Sequence, residues 1–506
     1  MSFGVALVAA VSLYQPVVLK GTYGWQGHGG DPAHQGVSNV RTMKMTNIDW
    51  SVPVDENPRY SGNSLLSHYS TPCISVRNTV VIGVKKNLDD TFVVRGHSGA
   101  DGSKTWEETT DYIMPPHGWT PMCSPTLLPI TRTDAPQKVA YPLAGGRIAI
   151  RSNADSASSG VTVITYYGAS NYAGNESTYN NAVRICTPLT AGPDGSIYFG
   201  VRVLAANPQN LTSGLVRVSP FGVASWVSAG TMSNDAGVAN MKMNAAPAVW
   251  GGSVFCVASS GGWGRGYLVK LNASNLAVQA RARLIDPKSG NDGIVEDSGT
   301  ASPMVGTDGH VYQGILENPF PSNHDRGWMI HFDNNLAIAG APNSFGWDDT
   351  AALVPAKIVT SYTGPSSYLL LTKYNDYAGV SGTGRNKMAL VDPNDTWTDP
   401  ISGNTTMKAI ATLLGPTPDQ DFPNHPGAVR EWCVNSVAVD TYRKAVILNC
   451  EDGVAYRWSM VNFSIEARPL TAGIGEAYTA TAIGPDGHIY ATSNARLYAL
   501  GGSKLP

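Results

Sequence analysis

Apolar positions in this chain come in short runs bounded by Gly, Pro, Asn or Asp. VVIGVK, SIYFGV, SVFCVA, HVYQGI, YLLLTK and HIYATS read as strands rich in β-branched and aromatic residues. A second set follows them: GLVRVS, GYLVKL, GWMIHF, KMALVD, VAYRWS and RLYALG. Long stretches of helical period are hard to find. The connection before a strand is often Asp-Gly, as in GPDGSIY, GTDGHVY and GPDGHIY, a turn signal of a β-hairpin.

These phrases recur at intervals. Asp194 and Asp308 stand 114 residues apart, and Asp308 and Asp486 stand 178 apart. Both intervals are near-multiples of a unit of about 57–59 residues, the mark of a repeat architecture. Eight strand starts fit that unit: STPCISV, MCSPTLLPI, ICTPLTA, AAPAVW, TASPMVG, TAALVPA, WCVNSVAV and YTATAIG. The expected fold is all-β: an eight-bladed β-propeller of four-stranded antiparallel blades over residues 42–506, preceded by a lead-in over residues 1–41. The last unit runs out of chain after its third strand. TMKMTNIDWSV (42–52) is a lone strand that can complete it and so remove an exposed edge.

Composition narrows the function classes. Charged residues make up 14% and the net charge is −3, so no basic field for nucleic acid exists. The apolar run from Phe3 to Leu13 is too short to span a membrane. It has the look of a signal-peptide core, although Lys20 is the first basic residue; a buried N-terminal strand is the alternative. A secreted or periplasmic monomer is expected. The six cysteines form no CxxC, CxxCH or vicinal pair. If Val439 pairs with Lys444 across the turn at Thr441–Arg443, Cys433 lies opposite Cys450, at the spacing of about 4.5–5.5 Å a disulfide needs. Two buried thiols are the alternative.

WQGHGGDPAHQGVSN followed by IDWSVP resembles the opening of quinoprotein-like (PQQ-like) propellers, and the DGxxY hairpins fit the same superfamily. PPHGWTP, DSGTASPMVGTDG, ENPFPSNHDRGW, FGWDDTA, AVREWCVN and GIGEAYTATAIGPDG resemble bacterial secreted propeller proteins. The resemblance implies a fold and, for some members, PQQ-dependent oxidation of alcohols. The vicinal disulfide of many such enzymes is absent from this chain, as is a haem motif. By the same resemblance His34 is structural.

In a propeller the loops entering each innermost strand converge on the axis, where a concave polar pocket forms. Those entries bring His68, Tyr69, His117, Trp119, Arg184, Lys242, Asp297, Trp347, Asp348, Asp349, Arg430, Glu431, Glu476 and Tyr478. The loop SNHDRGW adds His324 and Arg326 over the rim. Three functions are open. One is binding of a carbohydrate or other extracellular ligand, with no catalysis. Another is a uronate lyase, in which Arg184 or Arg430 neutralises the carboxylate, His68 or His117 is the base, and Tyr478 or Tyr69 the acid. The third is a PQQ-dependent dehydrogenase. No resident cofactor is assigned. DPKSGNDGIVED offers oxygen ligands for Ca²⁺ at Asp286, Asn291 and Asp292, without EF-hand spacing.

Overall fold

A computed structural model describes residues 24–62, 64–65, 67–116, 120–121, 124–130, 132, 134–476 and 479–502. The chain forms an eight-bladed β-propeller with three short helices in its connections, Ala169–Ala173, Glu176–Ala182 and Ala229–Ser233. Each sequence-derived strand start falls in the innermost strand of one blade. Blade 1 is the meander Cys73–Ile74, Thr79–Lys85, Phe92–Ser98 and Lys104–Thr110.

Burial follows radial position. Thr79–Lys85 and Ser253–Ser259 are buried on both faces, clamped between neighbouring blades, and read as near-continuous apolar runs. The outermost strands Val278–Arg283 and Ile465–Pro469 alternate exposed and half-buried positions, with one face in water.

The Asp-Gly phrase has one physical cause in all three places. The Asp side chain accepts from the backbone N–H two residues on: Asp194 from Ser196 at 3.0 Å, Asp308 from His310 and Asp486 from His488 at 3.1 Å. The intervening Gly195, Gly309 and Gly487 take φ of 84°, 87° and 94°, open to glycine at little cost. Tyr198, Tyr312 and Tyr490 then point into the packing between blades.

Four strands per blade is too regular. Blade 5 has three among the described residues, Met304–Val305, Val311–Ile315 and Trp328–Phe332. Its outer position is held only by the single bridges Met329–Asn343 and Phe332–Ile338. In the last blade Asn47–Pro53 runs antiparallel to Arg496–Gly501, from the Asn47–Gly501 pair to Pro53–Arg496.

The lead-in segment does more than precede the propeller. From Trp25 to Gly36 it winds around the inside of the axis and meets the innermost strands in order. Ile74, Leu127, Val249, Val305, Leu353 and Val439 donate their backbone N–H groups to the carbonyls of Trp25, Gln26, Pro32, Ala33, Gln35 and Gly36, at 2.6–2.9 Å. Those inner edges would otherwise be left unpaired. Gly36 sits at φ 71°, and a Cβ there would lie 2.4 Å from the Val437 carbonyl oxygen. His34, buried, bonds through Nδ1 to the Pro303 carbonyl at 2.8 Å.

The proposed Cys433–Cys450 disulfide does not form; the structure holds both as buried thiols. The register explains this. Val439 pairs with Val446 and Asp440 with Ala445, because Lys444, at φ 51°, belongs to the turn. The ladder ends at Ala438–Ile447, and Val434–Ser436 leaves it to pair with Thr479 and Ala480 of the last blade, so Cys433 and Cys450 do not face each other across one ladder. The Cys450 thiol donates instead to the Glu431 carbonyl at 3.2 Å.

Candidate functional site

The mouth of the axis holds a small polar cavity that opens to solvent. His28 of the lead-in segment lies at its base, with Nε2 3.1 Å from Thr350 Oγ1. Burial holds the His28 imidazole well below its ordinary pKa, so it is neutral. The wall is neutral and polar: Ser70, Thr71, Thr187, Asn244, Thr300 and Asn435, with Tyr69 and Tyr112. Ser70 Oγ and Asn435 Oδ1 are buried without a hydrogen-bond partner.

Blades 5 to 7 bring a different population beside this cavity. Lys373, at the end of Tyr368–Lys373, pairs with Asp348 at 2.7 Å, and its backbone N–H donates to Asp349 at 2.9 Å. Asp348 Oδ1 and Asp349 Oδ1 remain without partners. Burial pushes Asp349 up to about 7. Asp325 is pushed up to about 8, by burial first and then by Asp348 and Glu317. Glu431 is raised well above its ordinary range by burial and Glu451, and burial takes Glu451 to about 7. Lys242 Nζ donates to the Gly299 and Met243 carbonyls, and burial lowers it to about 8. Arg202 forms a two-pronged pair with Asp297 at 2.5 and 2.9 Å, and Asp297 also accepts from Gly262 N–H.

The sequence-derived candidates divide accordingly. Tyr69 lines the cavity and reaches Asp55 at 3.3 Å. Arg184 is half-buried, its guanidinium lowered by burial and favoured by nearby Tyr112, with Nε and Nη1 unpartnered. Lys242, Asp297, Asp348, Asp349 and Glu431 gather as described. Trp347 donates from Nε1 to the Asp325 carbonyl at 2.7 Å, and His324 Nδ1 lies 2.7 Å from Asp376.

Arg326 does not reach the rim. It is fully buried, donates to the Asn375 carbonyl and Ser344, and stacks 4.4 Å over Tyr374, so it braces blades 5 and 6 from within. Arg430 turns to Asp419 and Asp421, at 3.3 and 2.6 Å. Asp286 caps its own turn, accepting from Lys288, Ser289, Asn318 and Trp328; Asp292 pairs with Arg283. Asn291 donates to Ser289 Oγ at 3.2 Å and to the Asn318 carbonyl. His68 lies in Ser67–His68, paired with Thr120–Pro121, and Glu476 in Gly475–Glu476, paired with Ser64–Leu65; their side chains lie outside the description. His117, Trp119 and Tyr478 lie outside the described residues.

Sequence reasoning missed Lys373, Arg202, Glu451 and His28. A signal was present for two of them: a cation closing an otherwise apolar strand, as in YLLLTK and IYFGVRV. Lys85 in VVIGVK follows the same rule and pairs with Asp55 at 3.1 Å, both side chains fully buried.

No protein-family model matches the sequence, and no curated protein does. Among solved structures the chain is similar to the quinohemoprotein alcohol dehydrogenase of Comamonas testosteroni. The two share 11% identity over 96% of this chain and 82% of that one, with a TM-score of 0.54. A europium-containing methanol dehydrogenase gives 9% identity over 94% and 90%, also with a TM-score of 0.54. At such identity the likeness is one of architecture, that of an eight-bladed β-propeller.

Proposed function

We propose that the mouth binds a neutral polyhydroxylated ligand, a carbohydrate, and that the protein is a binding propeller. The observation that carries this is the pair of buried, partnerless atoms Ser70 Oγ and Asn435 Oδ1 in the cavity wall. Buried polar groups are nearly always satisfied, and hydroxyl groups of a sugar would satisfy these. The rim supports it. Trp263, 57% exposed, stands 5.2 Å from Phe320, itself 36% exposed. Trp263–Gly264 pairs with Val295–Glu296, just before the entry to blade 5, on the loop side that carries the mouth's other entries. An exposed indole face suits the apolar face of a pyranose.

The alternatives fare less well. A uronate lyase needs a cation for the substrate carboxylate, and Arg430 is held by two aspartates. That leaves Arg184, half-buried on blade 3 with Nε and Nη1 unpartnered, as the cation for it. The fold also fits a quinoprotein dehydrogenase. PQQ, however, is a tricarboxylate. Among the described residues, Lys373 and Arg202 are already paired with carboxylates, and Lys242 is directed to backbone carbonyls. This donor set does not fit the cofactor, and we derive no step through it. Pairing of Asn47–Pro53 with the last blade serves, in this proposal, to latch the ring and keep the mouth rigid.

The test is intrinsic tryptophan fluorescence during titration with neutral and uronic oligosaccharides. Neutral oligosaccharides are expected to bind and Trp263→Ala to weaken them. Failure of the folded protein to bind any neutral glycan on an array sinks the proposal; selective binding of uronic chains returns the lyase.

A further inference from the structure

Beside the mouth, between blades 7 and 8, lies a second small cavity lined by Cys433, Asn449, Cys450, Glu451, Thr492 and Ser493, among others. One ligand atom each from Glu431, Cys433 and Glu451 lies within 4.8 Å of the others. We propose that this is a binding site for a thiophilic divalent cation of the Zn²⁺ class, independent of the carbohydrate proposal.

The backbone fixes the three donors before any ion arrives. Glu451 N–H donates to the Glu431 carbonyl at 3.0 Å, and the Cys450 thiol donates to the same oxygen at 3.2 Å. The entry to blade 7 and the turn after Ala445–Asn449 are thereby pinned together. A tetrahedral zinc site separates its ligand atoms by about 3.5 Å, within reach of a small rotamer change from the observed spacing.

An independent observation points to a ligand here. Asn449 is 3% exposed and lines the same cavity. Its Nδ2 donates to the Thr492 carbonyl at 3.0 Å, while its Oδ1 has no partner. That oxygen is a candidate fourth donor. Two carboxyls and a thiol in one buried cluster repel each other once ionised, and burial resists their charges further. A dication removes both penalties by displacing the protons, and the thiolate favours Zn²⁺ over Ca²⁺ or Mg²⁺. Two cations act on the cluster, Arg430 on Glu451 and Lys373 on Glu431 and Cys433; Arg430 is paired with Asp419 and Asp421, and Lys373 with Asp348 at 2.7 Å.

Co²⁺ alone, added to the full chain after chelator treatment, tests this. One equivalent is expected to produce a thiolate-to-cobalt charge-transfer band, which one equivalent of Zn²⁺ removes. Zn²⁺ binding is expected to release protons, read by calorimetry in two buffers of different ionisation enthalpy. Cys433→Ala abolishes the band, and Cys256→Ala, a core thiol of blade 4, keeps it. Should Cys433→Ala fail to fold, Glu451→Gln serves: it is expected to weaken Zn²⁺ by more than about 10-fold. No band in the wild type, a band surviving Cys433→Ala, or unchanged affinity in Glu451→Gln overturns the assignment.

Discussion

The two halves of the mouth are built on opposite electrostatic plans. On blades 1 to 3 the wall of the mouth is mostly hydroxyl, and its deepest charges form one matched pair. Lys85 and Asp55, both fully buried, meet at 3.1 Å. On blades 5 to 7 carboxyls outnumber cations. Glu296, Asp325, Asp348, Asp349, Glu431 and Glu451 stand against Lys242 and Lys373. A fold satisfied with stability alone would not keep that surplus, since each extra buried carboxylate must be desolvated and repels its neighbours. Clustered, perturbed titratable groups in a cleft mark a functional wall. In the two proposals above, the neutral half meets the carbohydrate and the surplus half meets the cation.

The largest break in this comparison comes from removing the surplus half's main cation. Lys373→Met leaves Asp348 and Asp349 buried without a countercharge, and breaking such a pair costs about 3–5 kcal/mol. Urea unfolding at pH 7.5 is expected to show the loss. Acidification to pH 5.5 is expected to recover part of it, because the stranded carboxyls can then protonate. Lys85→Met in the matched half costs a comparable amount, with less recovery, since it strands a single carboxylate and not a pair within an acidic cluster. Equal recovery in both variants would remove the distinction between the halves.

The wild type's pH profile is the next effect. Asp325, Asp349 and Glu451 titrate near 8, 7 and 7 in the folded chain, above their ordinary values of 3.8 to 4.5. A carboxyl raised by folding contributes stability that is complete below its unfolded pKa and is lost as pH rises through the folded one. Their contribution therefore falls from about pH 4.5 to 8. His34 and His331 act in the other direction. Burial lowers both from 6.5 to about 4, so their contribution is present above 6.5 and is lost as pH falls toward 4. Below 6.5 the two trends oppose each other, so thermal melting is expected to fall most steeply from pH 6.5 to 8. Asp325→Asn is expected to flatten the alkaline limb alone. A profile flat from pH 6.5 to 8 contradicts the surplus.

How far the sequence carried these features depends on how local their causes are. The blade pattern was legible because Asp194, Asp308 and Asp486 each fix a turn with one side-chain hydrogen bond and one glycine. The axial winding of Trp25 to Gly36 was not. Its hydrogen bonds reach six blades spread over residues 74–439, and nothing in a Gly-rich, His-containing stretch has a period. The disulfide failed because Lys444 entered the turn and shifted the ladder, and because Val434–Ser436 left that ladder for the last blade. Of the charged wall, the acids at the blade entries were found, being next to the strand starts. Lys373 and Glu451 come from the far ends of second strands, and only their meeting in space connects them to Asp348 and Glu431.

The smallest expected effect tests the matched half where it faces the ligand. Ser70 Oγ has no partner in the folded chain, so Ser70→Ala gives up no intramolecular bond, and stability is expected to change by less than about 0.5 kcal/mol. Affinity for a neutral oligosaccharide is expected to fall by about 3- to 10-fold, the value of one hydrogen bond. Asn435→Ala is expected to do the same, because its Oδ1 is equally unpaired. Such a split, binding lost and folding kept, distinguishes an atom reserved for a ligand from one left idle by packing. If both variants melt as the wild type does and bind as it does, the neutral half of the mouth is scaffold, and recognition belongs to the charged half alone.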